Sequence, residues 1–282
     1  MSNNVSVFGG TGFIGSAYVA ADPECEVISR DSTLPTSETV LYFISTVDNY
    51  NVFTDPTLDV RTNLLHLTQT LQNCKDSVKE FVFISSWFVY GNTTLPAAET
   101  SVCSPKGFYS ITKYAAEMLV ESFCKTFNIA YKIIRLGNVI GSGDTKISKK
   151  KNALQYLINE LACDRDINLY NNGLFYRDYI HVDDVVRGIK HIIKAGTTNN
   201  IYNLSSGVPT MFIDIIEHAY KKLNSKSNIH DMEPTDFHKI VQVESMYLDV
   251  SKLNALGFKC EKDIFYIVDN LCDFSVTHLN KA

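Results

Sequence analysis

The chain lacks a basic excess. Its 26 Lys and Arg are outnumbered by 31 Asp and Glu, giving a formal net charge of −5, so it has no electrostatic footprint of a nucleic-acid binder. It also lacks C-x-x-C pairs. The seven cysteines, at 25, 74, 103, 124, 163, 260 and 272, are odd in number and widely spaced. That pattern excludes a disulfide framework and a zinc site, and it fits a reducing compartment. The seven histidines show no metal-ligand spacing, and no metal is expected. No apolar run reaches the roughly 20 residues of a membrane span. Met1-Ser2-Asn3-Asn4 leads straight into a strand-like segment, without the charged and apolar regions of a signal peptide, so a cytoplasmic protein is expected. Internal repeats, low-complexity tracts and a clean linker are missing too. The single basic run, Lys149-Lys150-Lys151, reads as a solvated loop or as a rim that attracts an anionic substrate.

What is present is an ordinary globular balance, 45% hydrophobic and 20% charged over 282 residues, enough for a large domain with a smaller lobe. Strand-like runs at Val5–Phe8, Cys25–Ser29, Val40–Ser45, Phe81–Ser85 and Tyr131–Leu136 alternate with helical patterns at Ser16–Ala21, Asp59–Cys74 and Tyr109–Phe127. This alternation predicts βαβ units and a parallel, doubly wound Rossmann-like sheet. Ser142–Lys151 is polar and reads as a loop. Beyond it come a helix over Asn152–Leu161, strands at Tyr176–His181 and Ile201–Leu204, and an amphipathic helix over Phe212–Leu223. Lys252–Val276 reads as a mixture of short elements. The expected division is a dinucleotide-binding domain over 1–141 and a substrate lobe over 142–282, with some lobe elements returning to the sheet.

Gly9, Gly12 and Gly15 form G-x-x-G-x-x-G directly after a strand and at the mouth of a helix. Such a turn lets backbone approach a pyrophosphate and aims free helix N–H groups at it. With Thr11, Phe13 and Ile14, these glycines are the expected cofactor cradle. The end of the second strand selects the cofactor. Asp31 would bond the ribose 2′-OH of NAD, whereas Arg30 with Ser29 would hold the 2′-phosphate of NADP. NAD is preferred and NADP remains open.

Tyr109 and Lys113 are one helical turn apart, so a phenol and an ammonium share a face. A free tyrosine is no base at neutral pH, but a neighbouring cation favours its phenolate. The pair therefore suits proton transfer to and from a hydroxyl. Ser86 lies upstream in Ser85-Ser86-Trp87-Phe88. Each of these residues also has a purely structural reading. Ser86 can cap a strand end, and Trp87 and Phe88 can pack the core or line a sugar or nicotinamide pocket. Asp183 and Asp184 read as caps of a helix beginning near Val185, and His181 as a satisfied core histidine.

GGTGFIG, SSWFVYG, YSITK, RLGNVIG and RDYIHVDD, in this order, resemble the extended short-chain dehydrogenase/reductase family, nearest its nucleotide-sugar epimerases and dehydratases. The resemblance runs from about Val5 to Phe258. It implies Tyr109 as acid and base, Lys113 on the nicotinamide ribose, and Ser86 on the reacting sugar hydroxyl. It also implies cofactor contacts near Ser45, Thr46 and Asn63, and nucleotide-diphosphate contacts at Asn138, Asn152 and Arg177, although Arg177 also reads as an ion-pair partner of Asp178 or Asp183. A homodimer through helices near Asn63–Cys74 and Tyr109–Phe127 is implied as well. Trp87-Phe88 stands where dehydratases of the family carry Asp-Glu, which argues against water elimination. Only eight residues separate Asp31 from Val40, where the family has a helix and another strand. The activities implied are an NAD(P)-dependent epimerase of nucleotide-linked sugars or a reductase or dehydrogenase of the same substrates. A catalytically silent NAD(P)-sensing binding protein is the alternative of another class.

Overall fold

Continuous β-branched and aromatic runs such as Val5-Ser6-Val7-Phe8 and Phe81-Val82-Phe83-Ile84 suit strands buried on both faces. The structure, a computed structural model, describes residues 4–141, 143–144 and 152–279. In chain order its strands are β1 (Val5–Phe8), β2 (Glu26–Ile28), β3 (Thr39–Tyr42), β4 (Glu80–Ser86), β5 (Ala130–Leu136), β6 (Asn138–Ile140), β7 (Ile167–Tyr170), β8 (Tyr176–Arg177), β9 (Tyr179–His181), β10 (Asn200–Leu204), β11 (Thr210–Met211) and β12 (Ile229–Met232). Its α-helices are α1 (Phe13–Ala21), α2 (Thr57–Val60), α3 (His66–Cys74), α4 (Phe108–Phe127), α5 (Ala153–Ala162), α6 (Val182–Ala195), α7 (Phe212–Leu223), α8 (Asp236–Val241), α9 (Ser251–Ala255) and α10 (Ile264–Leu279). A π-helical turn over Arg61–Leu65 joins α2 to α3.

Six strands form an all-parallel sheet in the order β10-β5-β4-β3-β1-β2. Side chains alternate across it. Val7, Leu41, Val82, Ile84 and Ile134 pack beneath Tyr18 of α1 and Val185, Ile189 and Ile192 of α6. Phe8, Val40, Tyr42, Phe81, Phe83 and Ile133 pack against Leu67 and Leu71 of α3 and Ala116, Val120 and Cys124 of α4. The sheet is therefore covered on both faces, as in a doubly wound fold. A separate core unites α5, α7, α10 and β7 in a lobe, while β10 and α6 return from the second half of the chain to the first sheet.

The segment after β2 carries no strand, and β2 is the sheet edge. Instead, an extended strap over 32–38 crosses β1. Thr36 and Ser37 donate their N–H groups to the buried Ser6 Oγ, each at 2.9 Å. Asn73 on α3 holds the Thr33 carbonyl and hydroxyl.

Several expected elements differ in extent. β3 ends at Tyr42, three residues before the expected Ser45, because residues 43–48 leave the sheet at its C-terminal edge. The expected strand Tyr176–His181 is broken at Asp178. That buried carboxylate turns inward to accept the N–H groups of Ser206, Gly207 and Leu248 and the Ser206 hydroxyl. The tail expected as short elements contains the 16-residue α10. His181, rather than Asp183 or Asp184, caps α6, its Nδ1 accepting from the Asp183 N–H. Asp183 pairs with Lys262, and Asp184 receives Arg187 and the Glu261 and Lys262 N–H groups. Apart from Gly143 and Asp144, the loop expected over Ser142–Lys151, with its three lysines, lies outside the described residues.

Candidate active site

Parallel strands bring their C-terminal ends to one edge, and ligands of open α/β sheets bind in the crevice outside that edge. Here the crevice is a cavity of about 1110 Å³ between the sheet and the lobe. The first βα turn forms one wall. Gly9 takes φ +84°, which glycine adopts without strain. A Cβ on Gly15 would stand 2.2 Å from the Gly9 carbonyl oxygen, so only glycine lets α1 seat this closely on the turn. Gly9, Thr11, Gly12, Phe13, Ile14 and Gly15 all line the cavity. This cradle, opening onto a helix N-terminus, fits a dinucleotide's pyrophosphate. Arg30 and Asp31, the residues expected to select the cofactor, are exposed and stand outside the cavity lining.

Ser45, Thr46, Ser86, Trp87, Phe88, Tyr109, Lys113, Asn138, Asn152 and Arg177 converge on the same cavity. Ser86 ends β4, and its Oγ accepts the Phe88 N–H at 3.4 Å. Tyr109 opens α4, its N–H bonded to Asn49 Oδ1 at 3.1 Å. A Cβ on Gly107 would stand 2.1 Å from that oxygen, so the Asn49 side chain would have to shift to admit one. Burial pushes the Tyr109 phenol up from its ordinary value, with hydrogen bonds from Ser86 and Ser45 pulling it back. Lys113, one turn along α4, is fixed by β4. Its Nζ donates to the Ile84 carbonyl at 2.6 Å and lies 4.1 Å from the centre of the Phe83 ring. Burial lowers its own pKa to about 7, opposed by Glu117. The ammonium is anchored to β4 rather than to the phenol.

The remaining residues divide between cavity and scaffold. Trp87 and Phe88 stack with ring centres 3.9 Å apart, and Phe88 meets Tyr109 edge-on at 5.8 Å. The pair is thus both packing and cavity wall. Asn138 accepts from the Trp87 indole at 3.2 Å and donates to the Asp178 carbonyl at 2.9 Å, which fixes its amide. Asn152 caps α5 through the Gln155 N–H. Arg177 pairs with neither Asp178 nor Asp183. Its guanidinium donates to the Tyr176, Glu244 and Val243 carbonyls and stacks on Phe175, 4.5 Å from the ring centre. Asn63 stands outside the lining. Its Oδ1 accepts from the Thr46 N–H and the Ser45 hydroxyl, and its Nδ2 donates to Thr46 and Thr112. Its place is to hold the loop after β3 against α4.

The lobe supplies lining groups that no motif marks: Asn168, Tyr170, Phe175, His238, Lys239, Gln242 and Glu244. Tyr50, Asn92 and Lys106 from the first half join them. Among the described residues no cluster of His, Cys, Asp or Glu could hold a metal ion.

The model of the NAD dependent epimerase/dehydratase family matches residues 36–205. The chain is 26% identical over 166 residues to dTDP-D-glucose 4,6-dehydratase of Dictyostelium discoideum, covering 54% of this chain but only 37% of that protein. It is 24% identical to a putative UDP-glucose 4-epimerase of Methanocaldococcus jannaschii, over 88% of this chain and 80% of that one. Its fold matches the crystal structure of Thermotoga maritima UDP-glucose 4-epimerase with UDP-glucose at a TM-score of 0.87, with 20% identity, covering 98% of this chain and 99% of that one. The family match spans more than half of the sequence and includes the Tyr109–Lys113 helix and the Ser86 strand, and so the chain belongs to the NAD-dependent epimerase/dehydratase family.

Proposed function

We propose that the chain is an NAD(P)-dependent epimerase of nucleotide-linked sugars, with Tyr109 as its acid–base group. One observation carries this reading: Tyr109, Ser86 and the Gly9–Gly15 turn face a single cavity. The turn would hold the pyrophosphate, and Lys113 the nicotinamide ribose. When bound, oxidised nicotinamide supplies a hydride acceptor and a positive charge that favours the phenolate. Tyr109 takes the proton from the sugar hydroxyl, at C4 in our reading, while the Ser86 hydroxyl orients that oxygen. It returns the proton after the keto-sugar has turned its other face. Arg177, with Asn152 at the mouth of α5, suits the diphosphate, because a guanidinium can make paired bonds to phosphate oxygens. Trp87 and Phe88 offer no carboxyl for a water elimination, unlike the acid pair a dehydratase needs. We also propose a cytoplasmic location, which the odd, widely spaced cysteines suit, and a homodimer, since Leu65 before α3 and Ile111, Met118 and Leu119 of α4 expose apolar side chains.

A second reading, a reductase or dehydrogenase that exchanges its cofactor, is supported by the exposure of Arg30 and Asp31 after β2. The ultraviolet spectrum of the purified protein separates the two. Nicotinamide retained through purification supports the epimerase, and an empty site that takes up added NADPH supports the reductase. The central test is turnover on a panel of UDP-, GDP-, TDP- and ADP-sugars. Tyr109→Phe is expected to lose about 10²–10⁴-fold on every active substrate. A variant matching the parent would remove Tyr109 from the chemistry. Cofactor binding without turnover of any sugar would leave a sensor.

A further inference from the structure

Among the described residues, the lysines and arginines that line the cavity are Lys106, Lys113, Arg177 and Lys239. Lys113 bonds the Ile84 carbonyl, Arg177 bonds backbone carbonyls, and Lys239 lies 3.6 Å from the Glu233 carboxylate. Lys106 has neither an ion pair nor a side-chain hydrogen bond among the described residues, although it is half-buried. A partly desolvated cation without a partner loses hydration that nothing in the protein replaces. No acidic side chain lines the cavity from Ile84 to Lys113. Asp48 and Asp59, outside the lining, are bonded to the Tyr50 N–H and to Thr46 and Asn51. The backbone around Lys106 is held on both sides. Ser104 donates its N–H to the Tyr90 carbonyl at 2.9 Å and pairs with Gly91, where an added Cβ would meet the Ser104 carbonyl oxygen at 1.8 Å. Gly107 donates its N–H to Ser110 Oγ at 2.9 Å as α4 begins. Tyr109 comes three residues after Lys106, so their Cα atoms stand within roughly 10 Å of each other by chain length alone. Asn92, next to Gly91 on the paired chain, lines the cavity too, and its amide bonds nothing else among the described residues.

We propose that Lys106 is a specificity residue and that the sugar this site takes is a uronic acid, with a carboxylate at C6. The inference rests on the reading of Tyr109 as the base at C4 and adds the charge of the substrate to it. With the C4 hydroxyl at Tyr109, C5 is the next ring atom and C6 its substituent, so the carboxylate leaves the ring beside the oxidised carbon. The Lys106 ammonium is a compact charge on a four-carbon arm. Rooted just before α4, it is placed to meet one carboxylate oxygen, and the Asn92 amide offers an N–H to the other. A neutral hydroxymethyl group at C6 would leave the ammonium without a counter-charge. A carboxylate makes a charge-assisted bond, roughly twice as strong as a neutral one. The diphosphate does not account for Lys106, since in this reading it lies against Arg177 and Asn152 of the lobe while Tyr109 meets the sugar.

Trp87 is the single tryptophan of the chain and lines the cavity, so its fluorescence reports binding without turnover. Tyr109→Phe loaded with NAD is titrated with UDP-glucuronate against UDP-glucose, the matching TDP pair, and GDP-mannuronate against GDP-mannose. If Tyr109→Phe does not fold, the parent loaded with NADH, which cannot oxidise the sugar, takes its place. In the pair that binds, the hexuronate is expected to bind about 10-fold or more tightly than the hexose. Lys106→Met should reduce that ratio by about 10–100-fold, the effect of one hydrogen bond to a charged group. Lys106→Arg, which keeps the charge, should retain most of the preference. In the active enzyme the same ratio is read in kcat/KM. Equal losses on hexose and hexuronate in Lys106→Met, or a parent that favours the hexose, overturn the assignment and leave Tyr109 in place. Turnover retained by Tyr109→Phe overturns the functional reading, whereas the binding ratio alone decides the role of Lys106. A chain that binds none of the pairs overturns both.

Discussion

Lys113 is 2% exposed, its ammonium bonded to one carbonyl and lying over one ring. Its folded pKa, about 7, lies below the free value of 10.5. Between those limits the unfolded chain binds a proton that the folded chain does not, so this residue makes stability rise with pH across the window. Below about pH 7 the burial penalty is present in full. Lys113→Met is therefore expected to be more stable than the parent near pH 6, and the advantage should shrink toward pH 9. Urea unfolding at the two pH values measures it. The same variant should lose activity if the amine holds the cofactor ribose, which would mark a side chain kept at a cost to stability. Gly15 makes the opposite case. Gly15→Ala drives a methyl into the Gly9 carbonyl, and it should abolish NADH binding as followed by fluorescence titration.

At the scale of elements, the site stands on the joint between α4, β4 and β5. Glu117 on α4 receives Arg135 of β5 in a two-pronged pair, at 2.7 Å for the shortest contact, and also the Ser85 hydroxyl of β4. Both charged side chains are almost wholly buried. Removing one partner strands the other charge, so Glu117→Ala should destabilise the fold by about 3–5 kcal/mol, read as a shift of the denaturation midpoint. Replacing both residues with apolar ones of similar volume should recover most of that loss. This joint was not legible in the sequence. Glu117 and Arg135 are 18 residues apart and look like surface charges until β5 is placed beside β4. The strap after β2 was legible in part, since the short spacing from Asp31 to Val40 left no room for a helix and strand. Its fastening to Ser6 and Asn73 followed only from the fold.

At the scale of the molecule, two lobes close on one cavity, and Tyr50 and Phe53 of the first meet Phe237 of the second, with Tyr50 and Phe237 ring centres 5.2 Å apart. The outer face of α4 points the other way. A row formed by Ile111, Met118 and Leu119 stays exposed there, and apolar faces of this kind mark association surfaces. If the proposed dimer pairs through this face, Met118→Glu should yield monomers without lowering the unfolding temperature of the monomer by more than a few degrees. Sedimentation velocity of parent and variant decides this. A parent that sediments as a monomer at all concentrations would withdraw the dimer.

The sequence by itself determined the parallel sheet, the glycine turn and the Tyr109–Lys113 spacing, because these rest on local periodicity and on residues close together in the chain. Only the tertiary structure decided how charge is distributed at the site. Whether Lys113 faces a phenol or a carbonyl depends on where β4 ends. Whether Asn63 touches ligand or backbone depends on how the loop after β3 packs on α4. The lobe's half of the cavity was likewise invisible, since Tyr170, His238 and Gln242 gain their meaning from segments far apart in the chain folding over one crevice. Burial and hydrogen-bond partners are properties of neighbours in space, and spacing along a chain does not fix them.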